Sequence, residues 1–86
     1  MNFLRLHNIQ DRLGNLAEST LRDHIREGIF PPPVKHRGIS FWLAEEVDQV
    51  QAAVSVGYSD ESVKALVKRI VAERTSRYSK YLEDAS

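Results

Sequence analysis

Three consecutive prolines near the middle of the chain restrict its fold more than any other feature. Pro31, Pro32 and Pro33 have fixed φ angles and lack the backbone N–H that a helix interior needs. Each proline also disfavours helical geometry at the residue before it. A helix that precedes them is therefore expected to stop at Gly28. The chain must change from helical to extended structure at this point.

Hydrophobic spacing predicts a helix before the prolines and a β-hairpin after them. Leu21 and Ile25 lie four residues apart, so they occupy one face of a helix and leave the other face for a partner. After the prolines, Val34–His36 and Ile39–Trp42 are typical of two short strands. The Arg37–Gly38 pair between them predicts a tight turn, because glycine readily adopts a positive φ.

The residues before this region predict a short strand and a first helix. Phe3–Leu6 alternates between apolar and polar side chains and can pair as a third strand beside the hairpin. A helix capped by Asn8 or His7 is expected to run to about Leu13. Gly14–Asn15 then ends it, since both residues tolerate left-handed geometry. Two short helices joined by such a turn form a helix-turn-helix.

Two more helices are predicted after the hairpin. The first covers roughly Ala44–Val56 and has acidic residues in its first turn, where they suit the helix dipole. The second begins at Ser59 as N-cap and is expected to run to about Leu82. The predicted organisation is a winged helix-turn-helix unit over residues 1–57 and a C-terminal helix over 58–86 that packs on it or self-associates. The fold class is mainly α with a small β-hairpin wing.

Size and charge limit the function classes. The chain has 86 residues, no cysteine and a formal net charge of zero, so we expect one small domain without disulfides or thiolate metal sites. Residues 1–42 contain six basic and four acidic side chains, a balance of +2, whereas 43–86 contain six and eight, a balance of −2. No signal peptide or membrane span is evident, so a cytoplasmic location is expected.

A little more than half of the chain resembles a family of small regulators. From about Phe3 to Val50, the sequence is similar to the AlpA family of prophage regulators, which is itself similar to phage excisionases and to MerR-type DNA-binding domains. The resemblance implies a winged helix-turn-helix that binds double-stranded DNA and controls a promoter or assists excision. The residues that carry the resemblance are Phe3–Leu6, Leu16, Glu18–Leu21, Ile25–Gly28, Phe30–Pro31, Pro33–Lys35, Trp42 and Glu46–Val47.

The sequence departs from the family pattern at the start of the helix before the prolines. Ala17 stands where a capping serine is typical, and this should weaken the helix start by about 1 kcal/mol unless a neighbour such as Ser19 substitutes. Arg22 and Asp23 replace a pair that is commonly aromatic and then basic. Base preference therefore cannot be transferred from the family.

The outward face of this helix carries side chains suited to reading base edges. Arginine can bind guanine bidentately, aspartate can accept from cytosine, and hydroxyls can reach bases or phosphates. The alternative is an ordinary solvated face in which Glu18 pairs with Arg22. The predicted DNA-binding residues of the recognition helix are Ser19, Thr20, Arg22, Asp23 and Arg26.

The hairpin tip is basic and is predicted to contact the DNA backbone or enter the minor groove. Such contacts give salt-sensitive affinity without sequence information. The alternative is that the tip charges discourage edge-to-edge pairing of exposed strands. The predicted DNA-binding residues of the wing are Lys35, His36, Arg37 and Ser40.

The last apolar residues are candidates for self-association. Tyr78, Tyr81 and Leu82 follow two arginines that interrupt the apolar stripe of the C-terminal helix. Aromatic side chains of this kind are enriched at interfaces and also at the edges of cores. Contacts with a second copy, packing at a core edge and fraying of the terminus are the open alternatives.

No pattern indicates an enzyme. His7, His24 and His36 do not lie at zinc-ligand spacing, and phosphate-loop and dinucleotide motifs are absent from the sequence. We therefore expect no catalytic residues, metal, cofactor, small-molecule substrate or membrane partner. Double-stranded DNA is the expected partner of a sequence-specific transcriptional regulator, with a second copy and an integrase as further candidates. The alternatives are an excisionase that bends attachment-site DNA, and a protein-interaction adaptor that does not bind DNA.

Overall fold

The computed structural model describes residues 2–85, which form five α-helices and one small antiparallel sheet. The molecule is mainly helical and ends in a C-terminal helix, so this coarse prediction is confirmed. Met1 and Ser86, the outer ends of the two predicted ranges, lie outside the described residues. In chain order the elements are β1 (Phe3–Leu4), α1 (Leu6–Arg12), α2 (Glu18–Glu27), β2 (Val34–His36), β3 (Ile39–Leu43), α3 (Ala44–Ser55), α4 (Asp60–Ala72) and α5 (Arg74–Ala85).

The predicted hairpin and third strand form the sheet, with β3 between β1 and β2. In the hairpin, Lys35 lies opposite Ser40. Arg37 and Gly38 have φ angles of 51° and 81°, the pair of positive values that a tight hairpin turn of the I′ class requires. Strand β1 is shorter than predicted: it ends at Leu4, because the chain then turns into the first helix.

The predicted cap of the first helix is wrong. Helix α1 begins at Leu6, with Arg5 as its N-cap, so Asn8 lies within the first turn. The Asn8 side-chain oxygen accepts a hydrogen bond from the Arg5 backbone N–H at 2.9 Å. Asn8 therefore closes the turn from its third position and does not begin it, a reciprocal arrangement related to a capping box.

Helix α2 ends at Gly28, as predicted, and begins without a side-chain cap. Gly28 has a φ of 84°, and the Gly28 and Ile29 N–H groups donate to the carbonyls of Ile25 and His24. At the other end, Ala17 occupies the N-cap and offers no side-chain acceptor to the first-turn amides. Helix α4, in contrast, has a side-chain cap: the Ser59 hydroxyl oxygen accepts from the Ser62 N–H at 3.2 Å.

One hydrophobic core joins the two predicted ranges. Its members come from α1, α2, the proline segment, β3, α3 and α4. Trp42 belongs to this core, and its indole N–H donates to the Pro31 carbonyl at 3.0 Å. The buried core side chains are Ile9, Leu21, Phe30, Trp42, Val47, Val50, Ala53, Val63, Leu66, Val67 and Ile70.

The long C-terminal helix predicted from Ser59 to about Leu82 is wrong in its extent, because the structure divides it into two. Helix α4 ends at Ala72, and a new helix starts at Arg74 after the intervening Glu73. Arg74 and Arg77 both bind the carboxylate of Glu46 in α3. This contact explains the division, since the second segment is directed by its own ionic partner and not by the apolar stripe of α4.

Membrane insertion of a helix has no structural basis within residues 2–85. None of the helices described there combines the length and the apolar character that crossing a bilayer requires.

Candidate nucleic-acid interface

A cleft of about 340 Å³ separates α2 from the β2–β3 hairpin. We call it the α2–hairpin cleft. Leu21 and Trp42, both buried, belong to its apolar lining. Four polar side chains lie around this lining, two from each element. The lining residues are Leu6, Glu18, Leu21, Arg22, Ile25, Pro33, Lys35, Ser40 and Trp42.

The cleft brings together only part of the predicted set. Arg22 lines it from α2, and Lys35 and Ser40 line it from the hairpin. His36 lies opposite Ile39 in the hairpin, one position along from Lys35, so it points to the other face of the sheet. Arg37 lies in the turn at the tip of the hairpin.

The outward face of α2 is exposed as its hydrophobic spacing indicates. Ser19, Arg22, Asp23 and Arg26 are exposed, and Thr20 is half-buried. The opposite face is directed inward at Leu21, whose exposed fraction is 1%. Helix α2 therefore offers a polar surface beside the cleft, with an apolar anchor behind it.

Both arginines on this face are paired with acidic residues of the same helix. Arg22 binds Glu18 one turn earlier, and Arg26 binds Asp23 three residues earlier. The arginine side chains are still 74% and 75% exposed. Exposed ion pairs of this kind contribute only about 0–1 kcal/mol, so either arginine can exchange its carboxylate for another anion at little cost. Glu18 is a lining residue of the cleft that the predicted site did not include.

The charges of α2 do not favour a polyanion by themselves. Glu18, Asp23 and Glu27 outnumber Arg22 and Arg26, so the helix has a balance of −1 with His24 neutral. The hairpin has the opposite sign. Its strands and turn contain Lys35 and Arg37, both exposed, and no acidic residue between 34 and 43. A phosphate backbone would therefore be attracted mainly to the hairpin side of the cleft.

The predicted self-association residues lie together on α5. Tyr78 is half-buried, whereas Tyr81 and Leu82 are 49% and 74% exposed. The two tyrosine ring centroids are 6.4 Å apart. The Arg77 guanidinium lies 5.4 Å from the Tyr78 ring centroid, within the range of a cation–π contact.

The Tyr78 hydroxyl oxygen is buried and makes no hydrogen bond of good geometry with the described residues, although Arg77 and Glu45 lie close enough to act on it. Burial raises the pKa of this phenol above its ordinary value of 10.0. The neighbouring Arg77 lowers the pKa, and the carboxylates of Glu45 and Glu46 raise it. The net direction is upward.

Sequence reasoning missed a buried ionic cluster of Glu46, Arg74 and Arg77. The Glu46 side chain is 1% exposed, and those of Arg74 and Arg77 are 22% and 20% exposed. Arg74 Nη2 lies 2.7 Å from Glu46 Oε1, and Arg77 Nη1 lies 3.2 Å from Glu46 Oε2. Glu46 looked like an ordinary first-turn acid. The available signal was the spacing of the two arginines, which at three residues apart lie on one side of a helix.

The histidines do not gather into a metal site within the part of the chain that the structure describes. No group of three or more histidine, cysteine, aspartate or glutamate side chains there could hold a metal ion. His24 is half-buried and lines an apolar groove between α2 and α3, together with Leu16 and Val54. This is the environment of a structural histidine.

The chain matches no protein-family model, no curated protein and no solved structure.

Proposed function

We propose that this protein is a winged helix-turn-helix regulator that binds double-stranded DNA in a sequence-specific manner. In this proposal α2 is the recognition helix and enters the major groove, and the β2–β3 hairpin is the wing and holds the adjacent backbone. The observation that carries the proposal is the α2–hairpin cleft, where Arg22 of the helix and Lys35 of the hairpin line one concave surface. Phosphate and base contacts need such a combination.

A role in a phage or other mobile element is proposed from the sequence resemblance of residues 3–50 to the AlpA family, although no family model matches the chain. Helices α1 and α2 are joined by a turn in which Gly14 and Asn15 both have positive φ, as a helix-turn-helix connection permits. The same surface would serve an excisionase, which differs in the location of its DNA sites and in its integrase partner.

Salt dependence tests the electrostatic part of the proposal. If about four phosphates are contacted, the logarithm of affinity for a mixed-sequence DNA duplex should fall with the logarithm of salt concentration with a slope of about −3.6. Mobility shift or fluorescence anisotropy over a salt series measures this slope. An absence of binding at micromolar protein and low salt would refute the proposal and favour an adaptor, for which the zero net charge is the supporting observation.

Arg26→Ala tests the reading role of α2. If Arg26 binds a guanine, the substitution should weaken binding to selected sites by about 1–3 kcal/mol and relax preference at one base position. Selection from a randomised duplex pool, performed with the wild type and the variant, measures both effects. Arg69→Ala removes an exposed arginine of α4 and is the matched control. A uniform loss over all sequences would reassign Arg26 to phosphate contact.

A further inference from the structure

Side chains hold the base of the hairpin at positions where the backbone lacks hydrogen-bond donors. Pro31, Pro32 and Pro33 have no N–H, so this segment presents only carbonyl acceptors. The Pro31 carbonyl accepts from the Trp42 indole N–H at 3.0 Å. The next carbonyl, of Pro32, accepts from Arg74 Nη2 at 2.8 Å. One bond comes from β3 and the other comes from α5, a distant part of the chain.

Arg74 also binds the helix that follows the other end of the hairpin. Its Nε lies 2.9 Å from Glu46 Oε2, and its Nη2 lies 2.7 Å from Glu46 Oε1. Glu46 is in the first turn of α3, which follows β3 directly. Pro32 precedes β2, so a single guanidinium joins the residues that flank the hairpin on both sides. The Glu46 side chain is 1% exposed, and water therefore competes little for this contact.

We propose that Arg74 is a positioning residue that fixes the β2–β3 hairpin relative to α2. The consequence for DNA rests on the proposed function: with the hairpin fixed, Lys35 and Arg37 reach phosphates while α2 occupies the groove. Removal of the Arg74 bond to Pro32 lets the hairpin move and weakens the binding of phosphates by the wing. Helix α5 thereby contributes to binding without touching DNA.

Arg77 provides the matched comparison. It binds the same carboxylate, with Nη1 3.2 Å from Glu46 Oε2, but its other polar contacts are with the Ile70 carbonyl at 3.3 Å and the Glu73 carboxylate at 3.8 Å. None of these partners lies in the proline segment, residues 31–33. Arg77 thus shares the ionic environment of Arg74 but contacts only one side of the hairpin base.

The experiment compares Arg74→Lys with Arg77→Lys in the full chain. Lysine keeps the positive charge beside Glu46, but its single ammonium lacks the planar fork that binds Glu46 and Pro32 together. Two measurements are made: amide hydrogen exchange of β2, β3 and α3, and the salt slope of binding to a mixed-sequence DNA duplex. The temperature is chosen so that each variant is folded, as judged by circular dichroism.

For Arg74→Lys we expect exchange of the β2 and β3 amides to accelerate about tenfold, since one charge-assisted hydrogen bond is removed, with α3 unchanged. The salt slope should become shallower by about 1 to 2, because each phosphate that the wing no longer neutralises reduces the slope by about 1. Arg77→Lys should leave both the hairpin exchange and the slope at wild-type values.

The outcomes separate the inference from the proposed function. Equal acceleration of exchange in α3 and the hairpin would overturn the inference, because it would show only a general support of the fold. Unchanged exchange in Arg74→Lys, or the same change in Arg77→Lys, would also overturn it. If Arg74→Lys accelerates exchange only in the hairpin, and the wild-type protein binds no DNA, the positioning role is supported and DNA binding is refuted.

Discussion

At the scale of single residues, Glu46 is the charged side chain whose ion pairs matter most for stability. Its carboxylate is buried, and both of its cationic partners come from α5. A buried charge is expensive once its partner is removed, whereas an exposed pair is worth little. Helix α3, which contains Glu46, also contains Asp48. Asp48 forms an exposed ion pair with Arg12 of α1 at 2.6 Å, and this pair serves as a comparison.

Glu46→Ala should lower the free energy of unfolding by about 3 kcal/mol, the lower end of the range for breaking a buried pair, because Arg74 and Arg77 keep some contact with water. Asp48→Ala should lower it by no more than about 1 kcal/mol. Urea unfolding followed by circular dichroism measures both. Equal losses in the two variants would contradict the assignment of Glu46 as a buried ionic centre.

Tyr78 gives the chain a stability contribution that depends on alkaline pH. Burial raises the pKa of its phenol in the folded state, so above pH 10.0 the unfolded chain releases this proton first. The free energy of unfolding should therefore fall as the pH rises from the ordinary value of tyrosine through the raised one. Below that window the contribution is constant.

Tyr78→Phe should remove this part of the alkaline decrease. At neutral pH the substitution should leave stability unchanged or slightly higher, since the hydroxyl it removes is buried without a hydrogen bond of good geometry among the described residues. Urea unfolding at neutral and alkaline pH, with both proteins, checks the prediction. Identical pH profiles for wild type and variant would show that the folded pKa is not raised.

At the scale of elements, the helix starts of α2 and α4 differ in one atom. Ser59 caps α4 through its hydroxyl, whereas Ala17 leaves the first amides of α2 without a side-chain acceptor. Ala17→Ser should raise the free energy of unfolding by about 1 kcal/mol, and Ser59→Ala should lower it by about the same amount. Thermal or urea unfolding of each variant tests this pair. A destabilising Ala17→Ser would show that another group already fills the cap.

Local chemistry predicted the elements whose ends are set by their own residues. The left-handed glycine at position 28, the prolines and the Arg37–Gly38 turn act within a few residues, so α2 and the hairpin could be located from the sequence. The division of α4 from α5 could not, because it depends on Glu46, which lies 28 positions before Arg74. Contacts at such separations leave little trace in a local pattern.

The candidate site was predictable only in part for the same reason. Helical periodicity gave the exposed face of α2, and strand alternation correctly assigns Lys35 and His36 to different faces once the register is known. The register, meaning which residue of β2 lies opposite Ser40, is not given by the alternation itself. The inclusion of Glu18 in the cleft depends on how closely α2 approaches the hairpin, and this packing distance is not encoded by spacing along the chain.

At the scale of the whole molecule, one core integrates the regions on both sides of Gly57, and α5 leaves apolar side chains outside it. Leu82 and Tyr81 are exposed near the end of this helix. Apolar side chains clustered on an exposed helix face favour contact with a second copy. Under the proposed function, two copies on neighbouring DNA sites would bind more tightly than one, since the second site is engaged at high local concentration.

We therefore expect the protein to self-associate through α5 as its concentration rises. The double variant Tyr81→Ser with Leu82→Ser should shift the equilibrium toward monomer, as measured by analytical ultracentrifugation. Val56→Ser, at a side chain 76% exposed in the α3–α4 turn, is the control and should not shift it. A wild-type chain that stays monomeric at every concentration would refute the role of these residues.

The position of β1 in the sheet has a consequence for how the chain acquires its structure during translation. Phe3 lies opposite Leu43, and the Asn2 carbonyl accepts from the Ala44 N–H at 2.9 Å. The first strand thus leaves the ribosome well before the strand that it joins, while α1 and α2 can form from neighbouring residues alone. Until β3 is available, the helices can form from neighbouring residues but the sheet cannot close, because β3 is the strand that pairs with both β1 and β2.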